Sequence, residues 1–513
     1  MSDKNEKKVT AALASTISEG AERAAKRWPS LIENFVNKSV LARTKGVTEE
    51  EVYALGQMLE SWEKYYNFCE NNGNVSDLGT LPKHALEIIT ADFGTSIVPH
   101  VASVQPIQER LGIVYFKTVR ATKTRGNIES GDYLQHPFRP PHASDGDTGE
   151  FDDLRYPEGY AGEYITTTVT ITGDATSTNF ADPLELDDSN SNTIRPRSVI
   201  LEGTYTDAEG TERTIKAIDD GEGALLGNGV TGFVRYQTSG SDAAGITNLS
   251  FGEAPEAGDV TFTVQYATDF EESGFVPEIN FTIEHASIEA EIFALTQSQG
   301  MFKAFEFQNR FGQSAEEMIA RDLTGALNLE LGNTAITRLV AAAENIPNNS
   351  VTFNAGVPQY VSYSEHMQQL KALIVRSSST ILRNAGRGQT NYLIAGYDAA
   401  GLIATLPGWT QQIVNTPGSN IWGTLDGMTV IRAPHIQSNA IYCVYKGNGG
   451  FDTPLVYSPY MPLVVSKTLQ DIDNILKNRA VAAVWAGMKV VAPTFVTKIV
   501  IENSTYVTPI IAP

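Results

Sequence analysis

A lysine beside a glycine cluster, YKGNGG from Tyr445 to Gly450, has the residue types of a loop that cradles phosphate. The order is wrong for that chemistry. A nucleotide loop places its lysine after the glycines and opens a helix, so that the first helical N–H groups and the lysine meet the same phosphates. Here Lys446 comes first and the strand-like LVYSPY follows, so a hairpin turn is the better reading. GEGALLG, Gly221 to Gly227, misses the dinucleotide spacing and lies in a β-rich stretch. GRG at Gly386 to Gly388 precedes a strand, the wrong side for a cradle.

Metal and nucleophile patterns fail in the same way. His84, His100, His136, His142, His285, His366 and His435 form no HxH, HxxxH or HExxH pair. His136 and His142 share a Pro-rich loop and read as solvent-facing. Cys69 and Cys443 are far apart and read as buried thiols in a reducing compartment. Asp471 and Asp473 sit where a helix would start, so they read as helix-capping carboxylates rather than a catalytic pair. No GxSxG elbow is present, and no cysteine lies beside a plausible base. Lys117, Arg120, Lys123 and Arg125 (KTVRATKTR) could touch DNA, but no aromatics are interleaved, and an ion-pairing surface for a neighbouring subunit is preferred. The chain is read as a structural protein with no catalytic residue, cofactor or metal.

The elements that carry these residues change along the chain. A helix over about Glu6 to Arg27 stops before Trp28-Pro29, because the residue preceding proline avoids the helical region. Thr48-Glu49-Glu50-Glu51 is a capping box, followed by an apolar stripe at Val52, Leu55, Leu59, Trp62, Tyr66 and Cys69. Glu70 to Thr80 is a polar linker. YITTTVTIT (Tyr164 to Thr172) and VTFTVQYAT (Val260 to Thr268) alternate with period two, and a Glu209-Gly210 turn joins another strand pair. This region reads as a small antiparallel β-sandwich. Ser314 and Glu317 form a second capping box, and an apolar face at Met318, Ile319, Leu323, Ala326, Leu327, Leu329, Ile336 and Val340 predicts a long helix to about Ala343. Gly325 and Gly332 inside it predict close backbone approach, and Glu330 predicts a polar partner. The last third alternates strands and short helices.

At roughly 150 residues per domain, 513 residues allow about three domains. No signal peptide and no apolar run of membrane-spanning length is visible, so a soluble protein made in a cytoplasm is expected. The net charge of −22 is unevenly placed: Glu150 to Phe275 holds 24 acidic and 6 basic side chains, a net of −18. So acidic a module repels DNA and anionic membranes, while a nearly neutral body can pack closely against copies of itself.

Four ordered blocks then carry a resemblance. YKG, Asp452 and YSPYMPL (Tyr457 to Leu463) resemble the axial-domain hairpin of the major capsid proteins of contractile-tailed bacteriophages, which share the Hong Kong 97-type fold. SVQPIQERLGIVYF (Ser103 to Phe116) is similar to the segment leading into that family's extended loop. Phe281 to Leu331 is similar to its run into the spine helix, and NYLIAG to an axial-domain strand. The chain departs at Gln108-Glu109-Arg110, where relatives tend to have a Gly-Pro turn.

The resemblance implies an α+β subunit with seven parts. These are a helical N-terminal arm and linker (1–81), the start of a peripheral domain (82–116), an extended loop (117–163) and an inserted acidic antiparallel β-sandwich module (164–270). The loop return and spine helix (271–350), an axial domain (351–485) and C-terminal peripheral strands (486–513) complete it. It also implies a shell of hexamers and pentamers around double-stranded DNA. Scaffold and portal proteins take part in assembly in the host cytoplasm, decoration proteins are optional partners, and no membrane is involved. Lys117, Arg120, Lys123, Arg125, Tyr457, Tyr460 and Pro462 are the expected subunit contacts. A maturation protease that cuts after glutamate in a Leu/Ile-x-Glu context finds two matches, ending at Glu19 and Glu33. A cellular nanocompartment shell, and a capsid protein whose β-module also binds host glycans, remain as alternatives.

Overall fold

The computed structural model describes residues 16–44, 46–71, 85–123, 130–131, 133–135, 163–173, 179–180, 184–186, 194–237, 244–269, 276, 278–312, 315–346, 349–358, 361–385, 388–412, 420–447, 450–466, 469–470 and 476–503. They fall into two compact units, one of Met1–Lys117, Pro137–Pro140 and Ile283–Pro513, the other of Thr118–His136 and Pro141–Thr282.

In the first unit, helical residues 16–27 break at Trp28, and Pro29 opens the next helix, Pro29–Lys38, where its missing N–H costs nothing. The helix Glu49–Asn71 begins with the expected box: Glu51 accepts the Thr48 main-chain N–H at 3.1 Å. Its buried face contains Leu55, Leu59, Trp62 and Cys69. The spine helix, Ala315–Glu344, has 30 residues and a length of about 45 Å. Ser314 and the side chain of Glu317 lie outside the described residues. Leu323, Leu327, Leu331, Ile336, Leu339 and Val340 face the main core. Ala326, Leu329 and Glu330 are exposed, and Asn328 is buried in their stead. Of the expected face, Leu323, Leu327, Ile336 and Val340 are in the core, Ala326 and Leu329 are not, and the side chains of Met318 and Ile319 lie outside the described residues; buried Asn328 has a partner in the helix Ala85–Thr95. Gly332 does mark close approach: a Cβ there would lie 2.5 Å from Ile97 Cγ2.

Two sheets share this unit. One has Ala102–Val104, Leu455–Val465, Lys477–Val490 and Glu291–Gly300 side by side, with Leu469–Gln470 on Lys477–Val490. The other runs Ser350–Asn354, Val496–Glu502, Ala440–Val444, Tyr392–Ala395, Met428–Arg432, Ile421–Leu425 and Trp409–Gln411. Its centre reads as continuous apolar runs, Tyr392–Ala395 and Ala440–Val444, as strands covered on both faces must.

These sheets correct three expectations. Residues 445–454 do not form a hairpin; they carry the chain from Ala440–Val444 in the seven-stranded sheet to Leu455–Val465 in the five-stranded one. The last strand, Val496–Glu502, pairs with Ala440–Val444 and Ser350–Asn354, so it stands among the strands expected of the axial domain rather than with peripheral ones. Its mostly buried residues require that central position. Residues 471 and 473 lie outside the described set, and the segment after them, Lys477–Val490, is a strand rather than a helix.

The second unit is dominated by an antiparallel sheet in the order Tyr164–Gly173, Gly258–Ala267, Ile200–Thr206, Glu212–Asp219, Ala224–Asn228, Val230–Arg235, Gly245–Phe251 and Asn179–Phe180, with Leu184–Glu185 also on Gly245–Phe251. The strands make one hydrogen-bonded path. It curls, since Phe251 and Phe262, several strands apart, stack with centroids 5.6 Å apart in one core. The expected turn is present: Asp207 Oδ1 accepts the N–H groups of Glu209 at 3.0 Å and Thr211 at 2.8 Å, and Gly210 has φ +79°. The outermost pairing sets Tyr164 opposite Ala267, so the chain enters and leaves this sheet at neighbouring positions.

Candidate assembly surface

The glycine loop is occupied by its own chain. Lys446 is buried and donates its ammonium to the Pro99 carbonyl. Its main-chain N–H goes to Asn391 Oδ1 at 3.0 Å, and Asn391 Nδ2 returns to the Lys446 carbonyl at 2.6 Å. The Gly450 N–H is taken by Glu50, and its carbonyl by Ser103 Oγ at 2.6 Å and Gln105 Nε2 at 3.0 Å. The Lys446 ammonium and the Gly450 N–H, two groups a phosphate site would use, are thus spent on fixing the crossing between the two sheets. A cavity of about 370 Å³ beside it is lined by residues including Glu50, Tyr53, Gln105, Tyr115 and Phe451. Among the described residues no group of His, Cys, Asp and Glu could hold a metal; His84, His136 and His142 lie outside them. Both cysteines are buried and free, and burial pushes the Cys443 thiol up to about 12, which keeps it protonated and inert.

The expected contact residues separate into inner and outer ones. Tyr457 is only 5% exposed, in the main core, and Pro462 is buried too. Both serve the subunit's own packing, because Leu455–Val465 is hydrogen-bonded to Lys477–Val490 along its length and to Ala102–Val104 at its start. Tyr460 is part-exposed and stacks on Trp485, centroids 5.7 Å apart and planes 17° apart.

That stack shows an outer face the sequence reading missed. Along Lys477–Val490, Ala480, Ala482, Val484, Ala486 and Met488 share the core with the spine helix. Val481, Ala483 and Trp485 therefore point the other way. The registers set Ile292 and Met461 beside Trp485, Val464 beside Ala483, and Thr296 beside Val481. Ile292 is 57% exposed, and the following helix, Met301–Phe311, carries Phe302 at 74% and Phe305 at 71%. The Trp485 Nε1–H is shielded from solvent yet finds no acceptor among the described residues. The period-two alternation of RAVAAVWAG was the available signal, but with small residues on both faces it did not say which face is covered.

Two of the basic quartet, Arg120 and Lys123, have side-chain partners within the chain. The Arg120 guanidinium lies over the Tyr133 ring, 3.8 Å from its centroid, and donates to the Tyr133 hydroxyl. Lys123 Nζ donates to the Val276 carbonyl at 3.0 Å. The Lys117 main-chain N–H bonds the Phe451 carbonyl at 3.2 Å, and Arg125 lies outside the described residues. The cleavage candidates Glu19 and Glu33 are exposed but helical, and their neighbours Ala24, Ile32 and Phe35 sit in the main core. A protease, which needs extended backbone, would meet either one only after local opening.

Comparison with known proteins agrees with a structural role. A family model described as major capsid protein Gp23 matches residues 80–507. No curated protein matches. Among solved structures, a chain of Mycobacterium phage Bobi is 14% identical over 45% of this chain and 78% of its own, with a TM-score of 0.31. One titled the capsid of Myoviridae Phage XM1 is 11% identical over 53% and 82%, at 0.26. A virus-like particle from Pyrococcus furiosus is 12% identical over 43% and 80%, at 0.27. With the family model spanning most of its length, the chain belongs to the major capsid protein family Gp23.

Proposed function

We propose that this chain, a major capsid protein of a tailed bacteriophage, closes its shell as hexamers and pentamers by covering the outer face of its five-stranded sheet with a neighbouring copy. The observation that supports this reading is the exposure of Ile292 at 57% and Val481 at 39% on that face, beside the part-buried Tyr460–Trp485 stack. A half-covered sheet face of this kind is costly on a lone subunit and is removed by association. Tyr460 remains a contact residue in this reading. Tyr457 and Pro462 stiffen the strand that presents it, and Lys117, Arg120 and Lys123 brace the chain near the start of the second unit.

In the same reading the second unit is an acidic β-sandwich inserted at the tip of the extended loop of a Hong Kong 97-type subunit. Scaffold and portal proteins guide assembly in the host cytoplasm, and the enclosed double-stranded DNA meets the shell by loose contact. Cleavage after Glu19 or Glu33 belongs to a maturation step.

Co-expression with scaffold followed by electron microscopy tests the reading. Wild-type chain is expected to give closed polyhedral particles. Ile292→Glu together with Val481→Glu should give folded subunits that do not close. Particles at wild-type yield from the double variant would remove this face from the interface.

A further inference from the structure

The main sheet of the second unit turns one face to its core and the other outward. One cross-strand row of the outer face runs through six strands, with Thr166, Gln265, Ile200, Ile218, Leu226 and Thr231 side by side. The neighbouring row, Thr168, Thr263, Glu202, Lys216 and Asn228, is polar throughout, as the solvated face of an antiparallel sheet is. The first row is polar only at its ends. Phe233, two residues beyond Thr231 and so on the same side, enlarges its apolar middle. Ile218, Leu226 and Phe233 are 48%, 56% and 58% exposed, and Ile200 beside them is half-buried. Exposed apolar residues scattered singly need no explanation, but these three stand together on adjacent strands and form a patch of the kind that marks an interaction site.

Charge around the patch selects what covers it. The turn between the strands of Ile218 and Leu226 carries Asp220 and Glu222, both exposed. Three cations of the unit are already paired within the chain: Lys216 with Glu202, Arg213 with Asp207 and Arg195 with Glu163. The stretch from Glu150 to Phe275 keeps a net charge of −18. A second copy of the patch would bring the same acids against these, and DNA would bring phosphates, so like charge opposes both. A protein with an apolar centre and a rim of lysine and arginine meets burial at the centre and attraction at the edge. We propose that Ile218, Leu226 and Phe233 form the docking site of a basic partner protein carried by the virion. The site is independent of which surface joins the subunits.

The protein composition of particles purified from infected cells, wild type and with Leu226→Ser and Phe233→Ser together, tests it. Both side chains lie outside the core, so the double variant should fold and give particles in wild-type number. One virion protein of basic isoelectric point should fall about tenfold or more relative to the capsid chain. Glu222→Lys leaves the apolar patch intact. It should weaken retention of that same protein at low salt and much less at high salt, because exposed charges are screened. If the double variant gives no particles, the salt response of Glu222→Lys decides. Unchanged composition in either variant, loss of an acidic protein in place of a basic one, or pairing of wild-type but not double-variant particles in electron micrographs overturns the proposal.

Discussion

Tyr442 and Lys498 stand opposite each other on neighbouring strands and share one acceptor: Glu344 Oε1 takes the Tyr442 hydroxyl at 2.8 Å and the Lys498 ammonium at 2.6 Å. Glu344 is the last residue of the spine helix, so this contact ties the end of that helix to the seven-stranded sheet. Lys498 first, and then the Tyr442 hydrogen bond, hold the Glu344 carboxyl below its usual 4.5. A lowered folded-state value gives stability present above the unfolded value and lost as the pH falls through the folded one. The pair is partly open to solvent, so Glu344→Gln should cost about 1 kcal/mol at pH 7. Urea unfolding at pH 7 and at pH 3 checks this, and the gap should close at the lower pH.

Gly332→Ala weighs two opposed effects. Alanine improves helix propensity by about 1 kcal/mol. The added methyl must also displace Ile97, whose Cγ2 would be 2.5 Å away, and overpacking costs about 1–3 kcal/mol. Net destabilisation is expected, seen as a lower denaturation midpoint. Gly332→Ala with Ile97→Val should recover part of it.

Lys446→Met removes the donor to Pro99 while keeping the length of the side chain. The stranded carbonyl should cost about 1–3 kcal/mol in chemical denaturation. Wild-type protein should show no shift in melting temperature with ATP, since the Lys446 ammonium and the Gly450 N–H are already used.

The pairing of Tyr164 with Ala267 makes the second unit's main sheet removable. Replacing residues 165–266 by a short glycine-serine turn should leave particles that close, counted by electron microscopy. Failure to form any shell would make that sheet part of the lattice.

The sequence showed what its side chains encode locally. The Thr48–Glu51 box, the Trp28-Pro29 break and the Glu209-Gly210 turn each depend on a few adjacent residues, and each is found as read. Pairings between distant residues were less visible. Lys446 and Pro99 are 347 residues apart, and nothing in YKGNGG distinguishes a sheet-to-sheet crossing from a hairpin. Tyr457 and Tyr460 look alike in the sequence, yet one is core and the other stacks on Trp485. Asn328 broke the apolar stripe because its partner Asp92 lies on another helix. The order of the four motif blocks identified the family, which short-range pattern alone does not.

The crossing at residues 445–454 has a mechanical consequence. Both sheets of the first unit meet there, and Lys446, Asn391, Glu50 and Ser103 cross-brace it. A pull on one sheet is therefore passed to the other through these short side-chain contacts as well as through the chain itself. A container made of such tiles resists outward pressure by straining many stiff joints a little, so internal load is spread over every tile.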